Sequence, residues 1–193
     1  CWQKRSSLMK KQIILIFLSL IFFFPLNAAV KDQIISKLEK TKNISFSFHQ
    51  KINQKTEEGD CIIEYPKKIF CSYNNLNKKI MVSNGKTLVI KNNNINQYYV
   101  YSLKRTPFNL FLDKNYLINE IRKLEGRKIE DKYINFTLLS KDYEINIFFD
   151  SQTLDLIGWQ TEDIYQNLVI TFIYKVKINQ KIKKNTFKLP ERN

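Results

Sequence analysis

The feature that most restricts what this chain can fold into is a change of period at residue 44. Ile44, Phe46 and Phe48 alternate there with Ser45, Ser47 and His49, which puts one apolar face and one polar face on a strand. Nine further stretches of strand character follow: GDCIIEY, KIFCSY, KKIMVS, TLVIKN, QYYVYSL, KYINFTLL, YEINIFFD, LDLIGWQTED and NLVITFIYKVKI. Their spacers are short and polar, and Asn84-Gly85 is a strong hairpin signal. About ten antiparallel strands joined in this way curl, because an open sheet of that size tends to bend or split. The expectation is a mainly β (α+β) fold, an incomplete curved antiparallel β-barrel. Ahead of it, VKDQIISKLEKTKN carries Val30, Ile34, Ile35 and Leu38 at helical spacing. That segment predicts an N-terminal amphipathic helix with Asp32 in its first turn and Lys40 and Lys42 in its last.

The segment before this helix reads as a leader. Residues 9–29, MKKQIILIFLSLIFFFPLNAA, place Lys10 and Lys11 before an apolar run from Ile13 to Leu26 and then small residues, the layout of a secretory signal peptide. The run is shorter than the about 20 residues that span a bilayer. Residues 1–28 are therefore expected to be a cleaved signal peptide, with 1–8 an upstream extension, and 29–193 one exported domain. Cleavage after Ala28 removes Lys4, Arg5, Lys10 and Lys11 and lowers the net charge from +14 to +10. The remaining lysines are scattered among Asn and Ile, and an export signal argues against nucleic acid as a partner. No cysteine stands at the junction LNAAV, so no N-terminal lipid anchor is expected.

Two cysteines remain beyond the leader, Cys61 and Cys71. If Tyr65-Pro66-Lys67 is the turn between the second and third strands, Cys61 falls opposite Cys71. Both then share a face with Ile63, Tyr65, Ile69 and Tyr73. In an oxidising compartment this register predicts a cross-strand disulfide, two buried free thiols being the other reading. The sole histidine, His49, lies on the polar face of its strand, and no strained glycine-rich turn presents a serine nucleophile. A metal site from Cys61, Cys71 and His49 would be unusual. The residues predict no catalytic site, no metal and no cofactor.

RTPFNLFL, residues 105–112, is the one long apolar element that is too short for a core helix. Thr106 suits an N-cap and Pro107 a first helical position. Phe108, Leu110, Phe111 and Leu112 leave Asn109 the sole polar side chain before Asp113. A helix this short depends on tertiary packing. It either plugs one end of the sheet or forms a movable lid over an apolar cavity. The large apolar groups available to line such a cavity are Phe46, Phe48, Ile63, Ile69, Tyr73, Phe136, Leu138, Ile147, Phe149 and Trp159.

In order and spacing, FSFHQKINQ, EGDCIIEYPKKIFCSY, IMVSNGKTLVIKN, TPFNLFLDKN and the terminal NTFKLPE resemble the motifs of the LolA family, periplasmic carriers of outer-membrane lipoproteins. The resemblance covers nearly all of residues 29–193. It implies an incomplete barrel closed by a short helical lid, an interior that holds acyl chains, and a monomer. It also implies acylated lipoproteins as cargo, the inner-membrane ABC transporter LolCDE as donor and the outer-membrane receptor LolB or an equivalent as acceptor. The family usually has an arginine before the hairpin proline, where it latches the lid. Here that latch position is Tyr65, whose single neutral donor replaces a charged fork. Two readings follow: a weaker latch, or substitution by Lys67 or Lys68. A carrier of a different lipid on the same fold is the alternative function, and a periplasmic hydrolase is the rival from another class.

Overall fold

The alternation of apolar and polar residues is realised as one continuous antiparallel sheet. A computed structural model describes residues 26–192 except 77, 164 and 165. The predicted signal peptide, apart from its last residues, and the upstream extension lie outside the described residues. The chain forms α1 (Leu26–Lys40), then β1 (Asn43–Ile52), β2 (Lys55–Glu64), β3 (Lys68–Tyr73), β4 (Lys79–Asn84), β5 (Thr87–Asn92) and β6 (Gln97–Ser102). A 3-10 turn (Leu103–Arg105) leads into α2 (Phe108–Leu112) and α3 (Lys114–Lys123). The sheet is completed by β7 (Arg127–Ile129), β8 (Tyr133–Leu139), β9 (Glu144–Asp150), β10 (Leu156–Glu162) and β11 (Leu168–Ile178).

The spatial order is β6-β5-β4-β3-β2-β1-β11-β10-β9-β8-β7. Every neighbour is consecutive in sequence except β1 and β11, which join the two halves at the centre. The sheet therefore has its free edges at β6 and β7. The chain passes from one edge to the other through the 3-10 turn, α2 and α3. An open barrel bridged by its own connection is the result.

Curvature is built in at two glycines where strands approach closely. Phe48, Gly59 and Tyr73 lie opposite one another on β1, β2 and β3. A Cβ on Gly59 would sit 2.1 Å from the Ser72 carbonyl oxygen and 2.8 Å from the Phe48 ring. Its absence lets Phe48 and Tyr73 meet edge to face, with centroids 5.1 Å apart. On the other half, a Cβ on Gly158 would fall 2.2 Å from the Thr171 carbonyl oxygen.

The N-terminal helix begins earlier than its periodicity suggests. It starts at Leu26, so Asp32 lies beyond the first turn, and Lys37 and Lys40, not Lys42, occupy the last turn. Ile34, Ile35 and Leu38 are buried, as are Leu117, Ile118 and Ile121 of α3. The two helices are tied by polar contacts: Arg122 to Glu39 at 2.8 Å, and Lys31 Nζ donating to the Arg122 carbonyl in the last turn of α3 and to that of its C-cap Leu124, each at 3.2 Å. The sequence reading lacks α3 and β7. It also differs at Thr106, whose hydroxyl donates to the Leu103 carbonyl at 2.8 Å and closes the 3-10 turn, so it does not cap α2.

Candidate functional site

The concave face of the sheet carries the chain's large apolar groups. Phe46 and Phe48 of β1, Ile63 of β2, Ile69 of β3, Phe136 and Leu138 of β8, Ile147 and Phe149 of β9 and Trp159 of β10 are all buried there. Tyr73 of β3 packs against the same cluster, and burial pushes its phenol well above the ordinary range, with the Glu57 carboxylate adding to the effect. The Lys79 ammonium lies 3.7 Å from the Tyr73 ring centroid and pairs with Glu57 at its rim. The Cys61–Cys71 disulfide is formed at the expected register and lines this face, with both residues buried.

The α2 segment, expected as either a plug or a lid, lies over these groups with its apolar side inward; it is called the lid segment below for its position alone. Leu110, Phe111 and Leu112 are buried, and Phe108 is partly buried against the same cluster. The Phe111 ring sits 4.7 Å from that of Trp159, which in turn meets Phe46 edge to face at 6.0 Å. Pro107 is the N-cap residue of α2, not its first helical residue as expected; its backbone is already helical, and the Leu110 amide donates to its carbonyl at 3.1 Å. Asn109 is the exception in this apolar setting, since its Oδ1 is buried without a hydrogen-bond partner.

The bonds that hold the end of the lid come from Lys67. Its backbone N–H donates to the Leu112 carbonyl at 2.8 Å, and its ammonium lies 3.0 Å from Asp113 Oδ2. The other Asp113 oxygen accepts the Tyr116 amide at 3.2 Å and caps α3. One carboxylate thus joins the lid, α3 and the β2–β3 hairpin. Lys67 is itself fixed in the left-handed region, with φ 68°. Ser83, fully buried on β4, donates to the Lys67 carbonyl at 3.0 Å and accepts the Gly85 amide at 3.1 Å. The Tyr65 ring packs against the core and has the Lys114 ammonium 5.8 Å away. Burial raises its phenol above the ordinary range.

The other end of the lid is held differently. The Leu103 amide donates to the Lys86 carbonyl at 2.9 Å in the β4–β5 turn. Across the gap, the Tyr143 hydroxyl in the β8–β9 turn donates to the Arg105 carbonyl at 2.5 Å. Ser83, Asp113 and Tyr143 hold this candidate site together, and the sequence reading gave none of them a role. Two carried a signal: Ser83 is a polar residue at an inward position of an alternating strand, and Asp113 precedes a helical pattern as an N-cap does. His49 is exposed on the outer face beside Glu58, at 3.1 Å. No helix of the described residues is long and apolar enough to cross a membrane, and no group of three potential metal ligands occurs among them.

This arrangement can be compared with known proteins. The family model described as outer membrane lipoprotein carrier protein LolA matches residues 39–190. The chain belongs to the LolA family. The LolA match contains the sheet, the lid and both of its anchor points. An uncharacterized conserved protein of Thermus thermophilus has a similar structure, with TM-score 0.51 and 6% identity over 86% of this chain and 95% of that one. A putative outer membrane lipoprotein-sorting protein domain from Vibrio parahaemolyticus gives TM-score 0.49 and 9% identity, covering 83% of this chain and 95% of that one. The Pseudomonas aeruginosa MucA/MucB complex gives 0.46 and 9% over 84% of this chain and 61% of that one. No curated protein matches the chain.

Proposed function

We propose that this protein is a periplasmic carrier that shelters lipoprotein acyl chains on its concave apolar face. On this reading it receives them from LolCDE at the inner membrane and yields them to LolB or an equivalent at the outer membrane. The observation that supports it is the closed lid, whose Phe111 and Leu112 are fully buried where the sheet is most apolar. Membership of the LolA family supplies the cargo class.

No bond needs to be made or broken. Each buried methylene contributes about 0.8 kcal/mol. Two or three acyl chains with on the order of 40 methylenes therefore exceed the roughly 18 to 21 kcal/mol at which non-covalent affinity saturates. A carrier must release its cargo, so part of that burial has to be opposed. The lid supplies the opposition: cargo must displace Phe108, Phe111 and Leu112 from apolar contacts they already make, at about 1.5 to 3 kcal/mol per side chain. The unpartnered Asn109 oxygen works in the other direction, since a buried unpaired acceptor costs about 1 to 3 kcal/mol and opening wets it. A receiving protein with a better-fitting pocket then takes the cargo.

Mass spectrometry of lipids that co-purify with the protein from a periplasmic extract tests this reading. Triacylated peptides are the expected cargo. Phospholipid or glycolipid alone would replace it with a carrier of another lipid, and an empty protein that takes up no acyl probe would leave a purely structural module. Phe108→Glu is expected to abolish uptake with the circular dichroism of the sheet unchanged; normal uptake by that variant would count against the lid's role.

A further inference from the structure

The concave face changes character at one end of the sheet. Where β1, β3 and β5 end and β2, β4 and β6 begin, its inward positions turn from apolar to polar. Phe48, Cys71 and Ile90 belong to or pack on the core, and two residues further along their strands stand Gln50, Tyr73 and Asn92. Positions two apart share a strand face, so Lys79 likewise shares the face of buried Met81. Strand pairing sets Gln50 opposite Glu57, and Asn92 opposite both Lys79 and Gln97. A polar band therefore crosses six strands, at the end of the sheet away from the Lys67 hairpin. It continues to buried Thr171 of β11, whose hydroxyl accepts from Gln50 Nε2 at 2.9 Å. Thr171 stands opposite Trp159, the ring against which Phe111 packs. The band thus borders the apolar site.

Solvated side chains would make this an ordinary rim, but these are largely withdrawn from water. The Lys79 and Glu57 side chains are 18% and 22% exposed and pair with each other. Asn92 is 9% exposed. Its Nδ2 donates to Gln97 Oε1 at 3.0 Å, while its Oδ1 is buried with no hydrogen-bond partner among the described residues. A buried acceptor left unpaired is unfavourable, and a ligand that brings a donor relieves it.

We infer that this band binds the polar head of the cargo, and that the group it selects is an amide of an acylated peptide. The inference rests on the carrier reading above and adds to it a second subsite. An amide N–H supplies what Asn92 Oδ1 lacks, and an amide carbonyl accepts from the Lys79 ammonium. A fatty-acid carboxylate or a phosphodiester group brings acceptors alone. Its negative charge also meets the Glu57 carboxylate, so Lys79 does not attract it unopposed. Sugar hydroxyls share the donor chemistry, and a glycolipid is therefore one arm of the test.

The test uses the whole chain after leader removal and measures displacement of a fluorescent fatty acid by a tripalmitoylated Cys-Ser peptide. A matched analogue carries ester oxygens in place of the amide N–H groups. The amide form is expected to bind about tenfold tighter than the ester form, the effect of leaving one buried acceptor unpaired. Asn92→Leu should bind the two forms alike, with the circular dichroism of the sheet unchanged. Should that variant misfold, the amide–ester comparison on the unmodified protein decides alone. Equal affinity of the unmodified protein for both forms, or full discrimination retained in Asn92→Leu, would overturn the assignment and leave the carrier reading standing. The same holds if Asn92→Leu loses affinity for dipalmitoyl glucosylglycerol and not for the lipopeptide. Failure of the unmodified protein to bind the fatty acid and both lipopeptide forms would remove the carrier reading and this inference together.

Discussion

The two ends of the lid are anchored by different means, and the difference indicates how the segment can move. At its C-terminal end, Lys67 and Asp113 combine a backbone hydrogen bond, an ion pair whose side chains are 30% and 27% exposed, and a helix cap. Behind them stand buried Ser83 and the Cys61–Cys71 staple of the same hairpin. At its N-terminal end, the far half of the sheet is reached by a phenol hydrogen bond from Tyr143 to Arg105. If the lid opens to admit cargo, the Tyr143 end releases first and the Asp113 end serves as the hinge.

The braced end can be broken most severely at the disulfide. Cys61→Ser/Cys71→Ser is expected to lower unfolding stability by about 2 to 4 kcal/mol in a denaturant titration; an unchanged midpoint would show that the staple braces nothing. Asp113→Ala comes next, because it removes the α3 cap and the Lys67 partner together. A loss of about 1 to 2 kcal/mol is expected, most of it from the cap, since a partly exposed ion pair adds little. The loose end should respond more gently. Tyr143→Phe deletes one hydroxyl and should cost about 1 kcal/mol or less. Its signature is kinetic: hydrogen exchange at the Leu110 amide should accelerate, while amides of the β2–β3 hairpin stay as they were. Uniform acceleration across both would remove the distinction between the two ends.

The two ends also differ in how far the sequence reveals them. The strands, their inward residues and the Cys61–Cys71 register follow from local alternation and one turn, so a period-two pattern suffices to read them. That the segment after Pro107 packs against the sheet follows from its concentration of apolar groups. The helix α3 carried Leu117, Ile118 and Ile121 at helical spacing behind Asp113, yet its Lys and Asn content resembles that of a loop. β7 is three residues long, too short for any period to appear. The latch was the least legible element. It acts through the backbone of Lys67 as well as its ammonium, and through a Ser83 hydroxyl that reaches across a turn. No side-chain pattern specifies a bond between Lys67 N–H and the Leu112 carbonyl; that depends on where β6 ends relative to the β2–β3 turn. The family pattern drew attention to Tyr65 and left Lys67 or Lys68 as its substitute; of the three, Lys67 makes the contact.

Trp159 gives the most direct measurement of the central claim, that cargo replaces the lid's side chains on the concave face. Within residues 29–193 it is the sole tryptophan, and the Phe111 ring lies against it. Titration with an acyl chain brominated near its end should quench Trp159 fluorescence in step with binding, and Phe108→Glu should abolish both. Saturating uptake of the brominated chain with Trp159 emission unchanged would contradict the account, because the cargo would then lie somewhere other than beneath the lid.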